Sequence, residues 1–328
     1  MRESRILFRT AVKNYIDSEE FSELAKSTAR GYMDAAKILV RHFSMVRIKD
    51  ISKDDFTDFL KYHMDELTPS GKNGYSKRTR KNAKLVFKKI YYHHVERKLI
   101  KCKIDFSSIL VTYGTARIPR VPYDKITIEK LRGSIEDRHD AWVFDLFELG
   151  TLTGMRVQEL FGLSDSDVMI NSEGKYTLSI KRAVVDHEVK SPKNKYSIRK
   201  IILSKKSENI VRRHLKDKKV LKLQNSALME NGERALLINY KKKQPWMSSV
   251  VYYRELKELF VSAGLKEQYR GLHPTRHTFV TNAINVGMPD DTISGYIGHS
   301  NTITMKKHYM HNSLIEQGRH SSSCLDQI

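Results

Sequence analysis

The sequence predicts a mainly α-helical protein with one small antiparallel β-sheet, and three observations carry that prediction. Apolar residues recur at helical spacing from the N-terminus to about Lys103. The pattern then changes to strand-like segments at Val168–Ile170, Tyr176–Ile180 and residues 198–203. At 328 residues, the chain has room for two domains that each bury their own core.

The N-terminal part is predicted to be entirely helical. Ser27 and Thr28 are capping candidates for one helix, and Ser52 with Asp55 has the spacing of a capping box for the next. A further helix is predicted from about Ser76. Its apolar residues lie on one face and its many basic residues on the other, so one face is expected to pack while the other faces outward.

That basic face has two interpretations. A lone run of charge is more often a solvated surface, but the chain as a whole favours phosphate contact. Lys and Arg outnumber Asp and Glu by 59 to 38, a formal net charge of +21. The residues of this helix predicted to contact DNA are Lys77, Arg78, Arg80, Lys81 and Lys84.

The composition also limits the class of protein. A strongly basic chain suits a polyanionic partner, above all nucleic acid, with an anionic membrane surface as the weaker alternative. No run of about 18 apolar residues occurs, so we expect a cytoplasmic protein without a membrane segment. Cys102 and Cys324 show neither CxxC nor zinc-type spacing, and both are expected to be free thiols.

Residues 106–121 are predicted to form a linker, because they lack sustained periodicity and join two differently patterned halves. Beyond it, Trp142 begins an apolar helix that Gly154 interrupts, and another helix begins near Arg156. Residues 190–195 are predicted to form a basic turn between two of the predicted strands. Helical patterns resume from about Ser207.

Three segments concentrate chemically useful side chains. Their members are Arg156 and Glu159 after the Gly154 turn, His273 and Arg276 at a predicted helix start, and Gly298-His299 followed by Tyr309. Each alone has a structural explanation, since a tyrosine or an Arg-x-x-Glu pair is usually a packing or surface feature. Together they are the parts that a metal-free phosphodiester transfer requires. Two arginines can hold nonbridging oxygens, and a histidine can help a tyrosine with a pKa near 10 lose its proton.

This ordered set resembles the tyrosine recombinases, the phage-integrase family of site-specific recombinases. Thr153-Gly154-Met155-Arg156 resembles the first arginine motif of that family, and Glu159 occupies its adjacent acidic position. The segment from His273 to Thr278 resembles the central box, often His-Asp-Leu-Arg-His-Thr, and departs from it at Pro274 and Thr275. Ile297-Gly298-His299 resembles the family's Leu-Gly-His, and Tyr309 stands where the nucleophile is expected.

The resemblance implies a role for each residue. Tyr309 would attack the scissile phosphate, Arg156, Arg276 and His299 would stabilise the transition state, and His273 would assist the tyrosine's proton. The general acid would be a lysine in the β-hairpin turn, assigned to Lys193 with Lys190 and Lys195 as alternatives. Neither a metal nor another cofactor would be needed.

The resemblance also implies an organisation. Residues 1–105 would be a helical, SAM-like core-binding domain, and residues 122–312 an α+β catalytic domain. The two would form a clamp around double-stranded DNA. A homotetramer on two DNA sites is expected, with residues 313–328 as a candidate docking segment for a neighbouring protomer. Accessory DNA-bending or directionality proteins are further candidate partners.

Several alternatives remain open at the sequence level. A zinc site at His299, His308 and His311 is disfavoured, since the spacing matches no strong ligand pattern. A type IB topoisomerase would use the same chemistry, but the compact chain and the short spacing from His299 to Tyr309 favour a recombinase. A non-catalytic DNA-binding relative would be free to lose the motif residues, and none is lost; a general basic nucleic-acid binder predicts no such arrangement of residues. The integrase of a mobile element or phage is the first choice of role; chromosome-dimer resolution, DNA inversion and integron-type exchange are the others.

Overall fold

The computed structural model describes residues 5–65, 74–112, 114, 121–185, 187–192, 195–223 and 225–298. The chain divides into two compact units, Met1–Pro119 and Arg120–Ile328. Each unit has its own hydrophobic core.

The described part of the N-terminal unit is helical. Its α-helices are α1 (Phe8–Ile16), α2 (Glu19–Ser22), α3 (Lys26–Phe43), α4 (Lys53–Lys61) and α5 (Lys77–Glu96). The capping box predicted for α4 is confirmed, because the Asp55 amide donates to Ser52 Oγ at 3.1 Å and the Ser52 amide donates to Asp55 Oδ2 at 2.9 Å. Helix α5 begins at Lys77, close to the predicted start, and Ser76 caps it. Ser27 lies inside the first turn of α3, so its predicted capping role is wrong.

Aromatic rings fill the core of this unit. The rings of Phe56 and Phe87 stack with centroids 4.1 Å apart. Phe106, Ile109 and Val111 are buried in the same core. The predicted linker at 106–121 therefore starts too early: its first residues are spaced irregularly, yet they cover an apolar face that α5 leaves open. Residues 113 and 115–120 of that prediction lie outside the described residues.

The C-terminal unit combines helices with short strands. Its helices are α6 (Lys125–Gly133), α7 (Arg138–Thr153), α8 (Val157–Phe161), α9 (Lys205–Val220), α10 (Ser249–Ser262), α11 (His273–Asn285) and α12 (Asp290–Ile297). Its strands are β1 (Val168–Ile170), β2 (Tyr176–Ile180), β3 (Ala183–Val185), β4 (Glu188–Lys190), β5 (Arg199–Ile202), β6 (Ile238–Asn239) and β7 (Gln244–Pro245).

The predicted three-stranded antiparallel sheet is confirmed, with strand order β1-β2-β5. Leu178 of β2 lies opposite Val168 on one side and Ile201 on the other, and Leu178 and Ile201 are buried. The β3–β4 hairpin, in which Val184 pairs with Val189, was not predicted from the sequence. Three-residue strands interrupted by charged residues give too little alternation to be recognised.

Helix α7 forms the centre of this unit and is buried along most of its length. Helix α11 packs directly on it, because Gly150 has no side chain: a Cβ there would lie 2.7 Å from Thr275 Oγ1. Helix α11 begins at His273, as predicted, and Pro274 occupies its first turn. No helix in the described ranges is long and apolar enough to cross a membrane.

Candidate active site

The site is built around the turn at Gly154. Helix α7 ends there in a left-handed conformation, with φ of +65°. A Cβ at this position would lie 2.6 Å from the Phe279 ring and 2.9 Å from Ile297. Only glycine therefore allows α11 and α12 to pack against the turn that leads into Arg156.

Arg156 and Glu159 are joined at the start of α8. The Arg156 amide donates to Glu159 Oε2 at 3.0 Å, and Arg156 Nη1 donates to Oε1 at 2.7 Å. The Glu159 side chain is 4% exposed, whereas that of Arg156 is 35% exposed. A buried carboxylate thus holds an arginine whose side chain reaches solvent.

A second arginine, which sequence analysis did not single out, binds the same carboxylate. Arg199 Nη2 donates to Glu159 Oε2 at 3.0 Å, and the Arg199 side chain is only 7% exposed. Its Nε donates to the Tyr296 carbonyl at 2.5 Å and its Nη1 to the Ser197 carbonyl at 2.9 Å. Arg199 therefore connects β5, α8 and α12.

The two arginines keep Glu159 ionised. Burial alone would raise the pKa of this carboxyl, but the charge and hydrogen bond of Arg199, together with Arg156, hold the pKa below its usual value. The carboxylate is therefore a fixed negative charge that orients both guanidinium groups.

Helix α11 brings a third arginine to the same turn. Arg276 is 5% exposed, and its Nη1 donates to the Gly154 carbonyl at 2.9 Å. Arg156 follows Gly154 by two residues, so both predicted phosphate-binding arginines are anchored at one turn. His273 lies on the first turn of the same helix and is exposed. Its ring centroid is 5.5 Å from that of His277.

Helix α12 ends against β5. Gly298 is left-handed, with φ of +63°, and a Cβ there would lie 2.9 Å from the Tyr196 carbonyl and 3.0 Å from Arg199 Nη1. The Tyr296 hydroxyl donates to the Ile202 carbonyl at 2.8 Å. This close approach fixes the backbone of Gly298 against Tyr196 and Arg199.

Three predicted catalytic residues, Lys193, His299 and Tyr309, lie outside the described residues. Of the alternative lysines, Lys190 forms an ion pair with Glu188 at 2.8 Å. The side chain of Lys195 is likewise outside the described part. The described half of the site thus consists of Arg156, Glu159, Arg276 and His273, with Arg199 added.

The predicted DNA-binding role of Arg80 is wrong. Its side chain is fully buried and donates to the carbonyls of Leu60, Met64 and Tyr75 and to the carboxylate of Asp65. A helical pattern cannot reveal this, because the acceptors come from residues about 5 to 20 positions earlier in the chain. A guanidinium enclosed in this way cannot reach phosphate.

The other four predicted residues differ among themselves. Lys84 is half-buried, and its ammonium donates to the Ile109 carbonyl at 2.5 Å. Burial, and next the charge of Lys88, lower its pKa. Lys77, Arg78 and Lys81 are exposed. Arg78 and Lys81 line an open groove between α3 and α5.

The three histidines weighed as a zinc site, His299, His308 and His311, lie outside the described residues. Within the described ranges, no three His, Cys, Asp or Glu side chains gather as a set of metal ligands.

Comparison with solved structures shows the fold. The Tn1549 transposon integrase (residues 82–397, Y379F), solved in complex with transposon right end DNA, has a TM-score of 0.70 at 20% identity, covering 96% of this chain and 99% of that one. A lambda integrase (75–356) dimer bound to a COC′ core site has a TM-score of 0.65 at 14% identity, covering 93% and 95%. The XerH site-specific recombinase bound to difH substrate, pre-cleavage, has a TM-score of 0.65 at 15% identity, covering 94% and 95%.

Sequence comparison identifies the family. No curated protein sequence matches this chain significantly. The profile described as the phage integrase family matches residues 125–314, more than half of the chain. This segment contains Arg156, Glu159, His273 and Arg276. The chain therefore belongs to the phage integrase family, whose members are tyrosine site-specific recombinases.

Proposed function

We propose that this protein cuts and rejoins duplex DNA at specific sites through a 3′-phosphotyrosyl intermediate formed by Tyr309. One observation carries the proposal: Arg156 and Arg276 are anchored at the single turn around Gly154, inside the segment that matches the family. Two guanidinium groups so placed suit a phosphate whose nonbridging oxygens gain charge in the transition state.

The first step is an attack by the Tyr309 oxygen on the scissile phosphorus. The bond between phosphorus and the 5′ oxygen breaks, which leaves the DNA 3′ phosphate on the tyrosine and a free 5′ hydroxyl. His273 assists removal of the tyrosine proton, and Lys193 donates a proton to the leaving oxygen. The exposure of His273 at the start of α11 supports contact with substrate.

Charge on the transition state is balanced by Arg156, Arg276 and His299. Glu159 positions the first of these. The reverse reaction uses the 5′ hydroxyl of a partner strand, with the same residues in reversed roles. Because the phosphotyrosine retains the energy of the broken bond, the cycle needs neither ATP nor a metal ion.

The proposed partner is double-stranded DNA. The helical domain at residues 1–105 contacts phosphates through Lys77, Arg78 and Lys81, which are exposed, and the catalytic domain at residues 122–312 binds the scissile site. The net charge of +21 supports this assignment. The compared proteins were solved with DNA bound, which agrees with it.

The proposed assembly is a homotetramer on two DNA sites. Strand exchange between sites requires several active sites in one complex, and residues 313–328 are the proposed docking segment between protomers. Accessory DNA-bending or directionality proteins complete the proposed set of partners. The proposed biological role is integration of a mobile element, and the likeness to a transposon integrase over 96% of the chain supports it.

The test is covalent trapping on a nicked DNA duplex that bears the end sequence of the element. After cleavage, the short strand beyond the nick diffuses away and the adduct accumulates. With EDTA present, wild type is expected to give a shifted band on a denaturing gel, and Tyr309→Phe none. A band that survives in Tyr309→Phe contradicts the assignment.

Tyr296→Phe is the matched control. Its hydroxyl donates to the Ile202 carbonyl, and burial raises its pKa, so it is unsuited to attack phosphorus. We expect this variant to retain the adduct. No adduct in wild type on a duplex that it binds tightly would instead indicate a non-catalytic relative.

A further inference from the structure

We propose that Arg199 is a positioning residue for the cleavage reaction, acting on Arg156 through the shared carboxylate of Glu159. This inference rests on the proposed function, and it adds a residue that the motifs do not contain. Arg199 does not need to touch DNA for this role. It sets the orientation of the arginine that does.

The geometry at Glu159 supplies the first argument. Oε2 accepts from both Arg199 Nη2 and the Arg156 amide at 3.0 Å, while Oε1 accepts from Arg156 Nη1 at 2.7 Å. The carboxylate plane is therefore fixed by donors at both oxygens. Of these three donors, Arg199 alone comes from outside the Arg156–Glu159 segment. Without Arg199, both oxygens are held by Arg156 only, so the carboxylate and the Arg156 guanidinium can shift together.

Burial supplies the second argument. The Arg199 and Glu159 side chains are 7% and 4% exposed, whereas Arg156 is 35% exposed. The buried pair forms a rigid base, and only the outer guanidinium reaches the space where a phosphate can bind. In a buried site, loss of one partner leaves an uncompensated charge.

The remaining contacts of Arg199 anchor that base. Its Nε donates to the Tyr296 carbonyl and its Nη1 to the Ser197 carbonyl. Gly298 packs against Nη1 so closely that a Cβ would lie 3.0 Å away. The guanidinium is thus held by α12 and by the segment before β5 at the same time as it holds Glu159.

The expected consequence is specific to the charge of the phosphate. If Arg199 orients Arg156, its loss weakens the interaction between that guanidinium and a nonbridging oxygen. Loss of one such donor slows a reaction by about 100-fold or more. A methylphosphonate at the scissile position has one nonbridging oxygen replaced by a methyl group and carries no charge, so the arginine contributes much less to its cleavage.

The experiment measures single-turnover cleavage of both substrates, phosphate and methylphosphonate, under identical conditions. The proteins are the full-length wild type, Arg199→Met, Arg199→Lys, Glu159→Gln and Arg156→Ala. Melting temperatures establish that each variant is folded at the assay temperature. Lysine keeps the charge of Arg199 but not its three hydrogen bonds, so it remains informative if the methionine variant fails to fold.

Arg182→Met is the structural control. Arg182 is 10% exposed and donates to Asp167 Oδ2 at 2.6 Å and to the Gly162 carbonyl at the opposite end of α8. It resembles Arg199 in burial and bonding, but it has no contact with Glu159. Its loss is expected to lower the stability of the domain and to slow cleavage of both substrates by the same factor.

Arg199→Met is expected to slow phosphate cleavage by about 100-fold and methylphosphonate cleavage by less than about tenfold, as Arg156→Ala does. Equal losses on the two substrates, as in Arg182→Met, would overturn the inference while wild-type adduct formation still upholds the proposed function. Wild type that cleaves neither substrate would overturn both. Full activity of Arg199→Lys on phosphate would also overturn the inference.

Discussion

Arg80 in the N-terminal unit and Arg199 in the C-terminal unit are both buried arginines that bind main-chain carbonyls and one carboxylate. They differ in what that carboxylate does. The Asp65 side chain that Arg80 contacts is 62% exposed. The Glu159 side chain that Arg199 contacts is 4% exposed and holds a further arginine.

The difference shows how a buried guanidinium serves either the fold or a site. Arg80 joins the end of α4 and the residues after it to the start of α5. Arg199 transmits its position to Arg156, whose side chain is open to solvent. Substitutions at these two arginines are therefore expected to separate an effect on stability from an effect on cleavage.

The largest expected effect on stability belongs to Arg80→Met. It leaves the carbonyls of Leu60, Met64 and Tyr75 without the guanidinium, and the free energy of unfolding of this unit is expected to fall by about 3 kcal/mol. Urea unfolding measures this. Destabilisation under about 1 kcal/mol, together with a reduced salt slope of DNA binding, would return Arg80 to the DNA-contacting set.

The two carboxylates provide a paired test. Glu159→Gln is expected to slow cleavage by more than tenfold, because a neutral amide cannot hold two arginines as a carboxylate does. Asp65→Asn is expected to change unfolding by less than about 1 kcal/mol, since exposed ion pairs contribute little. Both variants are measured by urea unfolding and by DNA cleavage. If Glu159→Gln and Asp65→Asn change stability and cleavage to the same extent, Arg199 and Arg80 do not differ in role.

Gly298→Ala tests the anchoring of Arg199. The left-handed backbone costs an alanine about 1 kcal/mol, and the new Cβ would also press on Tyr196 and Arg199. Gly264→Ala is the control, because Gly264 has φ of +69° and open space around its Cβ position. Both variants are expected to lose stability, but only Gly298→Ala should slow cleavage beyond that loss. Equal cleavage rates in Gly298→Ala and Gly264→Ala would argue against a role for the contact between Gly298 and Arg199.

The pH dependence of stability reports the state of Glu159. Its folded pKa is lowered, so its contribution is complete above the unfolded pKa and is lost as pH falls through the folded value. Without Arg199, the effect of burial on Glu159 is no longer offset by the arginine's charge, so the pKa of Glu159 in the folded Arg199→Met variant is expected to rise. The pH at which half of the protein is unfolded by acid should therefore move to a higher value. Acid titration followed by circular dichroism measures this shift. An unchanged midpoint would mean that Arg199 does not hold the charge of Glu159.

Much of the site could be predicted because its residues are defined by local chemistry. The Gly154 turn, the Arg156–Glu159 spacing and Pro274 at a helix start each have a pattern within a few positions of sequence. The three-stranded sheet was predictable because apolar and polar residues alternate along Tyr176–Ile180 and because residues 198–203 are rich in isoleucine.

Arg199 and Arg80 could not be assigned from sequence because their partners are distant in the chain. Arg199 follows a basic turn and precedes Lys200, and no local feature shows which of the two is buried. Arg80 lies in a run of basic residues, between the exposed Arg78 and Lys81. The hydrophobic core of the N-terminal unit also contains Phe106 and Val111, whose positions in the sequence follow no helical or strand periodicity.

The central claim is that one tyrosine carries the cleaved DNA strand, and its identity can be measured directly. Tryptic digestion of the trapped adduct followed by mass spectrometry separates the candidates, because Tyr309 lies in the peptide 308–319 and Tyr296 in the peptide 277–306. We expect the nucleotide mass on peptide 308–319, attached through a 3′ phosphate. Attachment at any other tyrosine, or through a 5′ phosphate, would contradict the account.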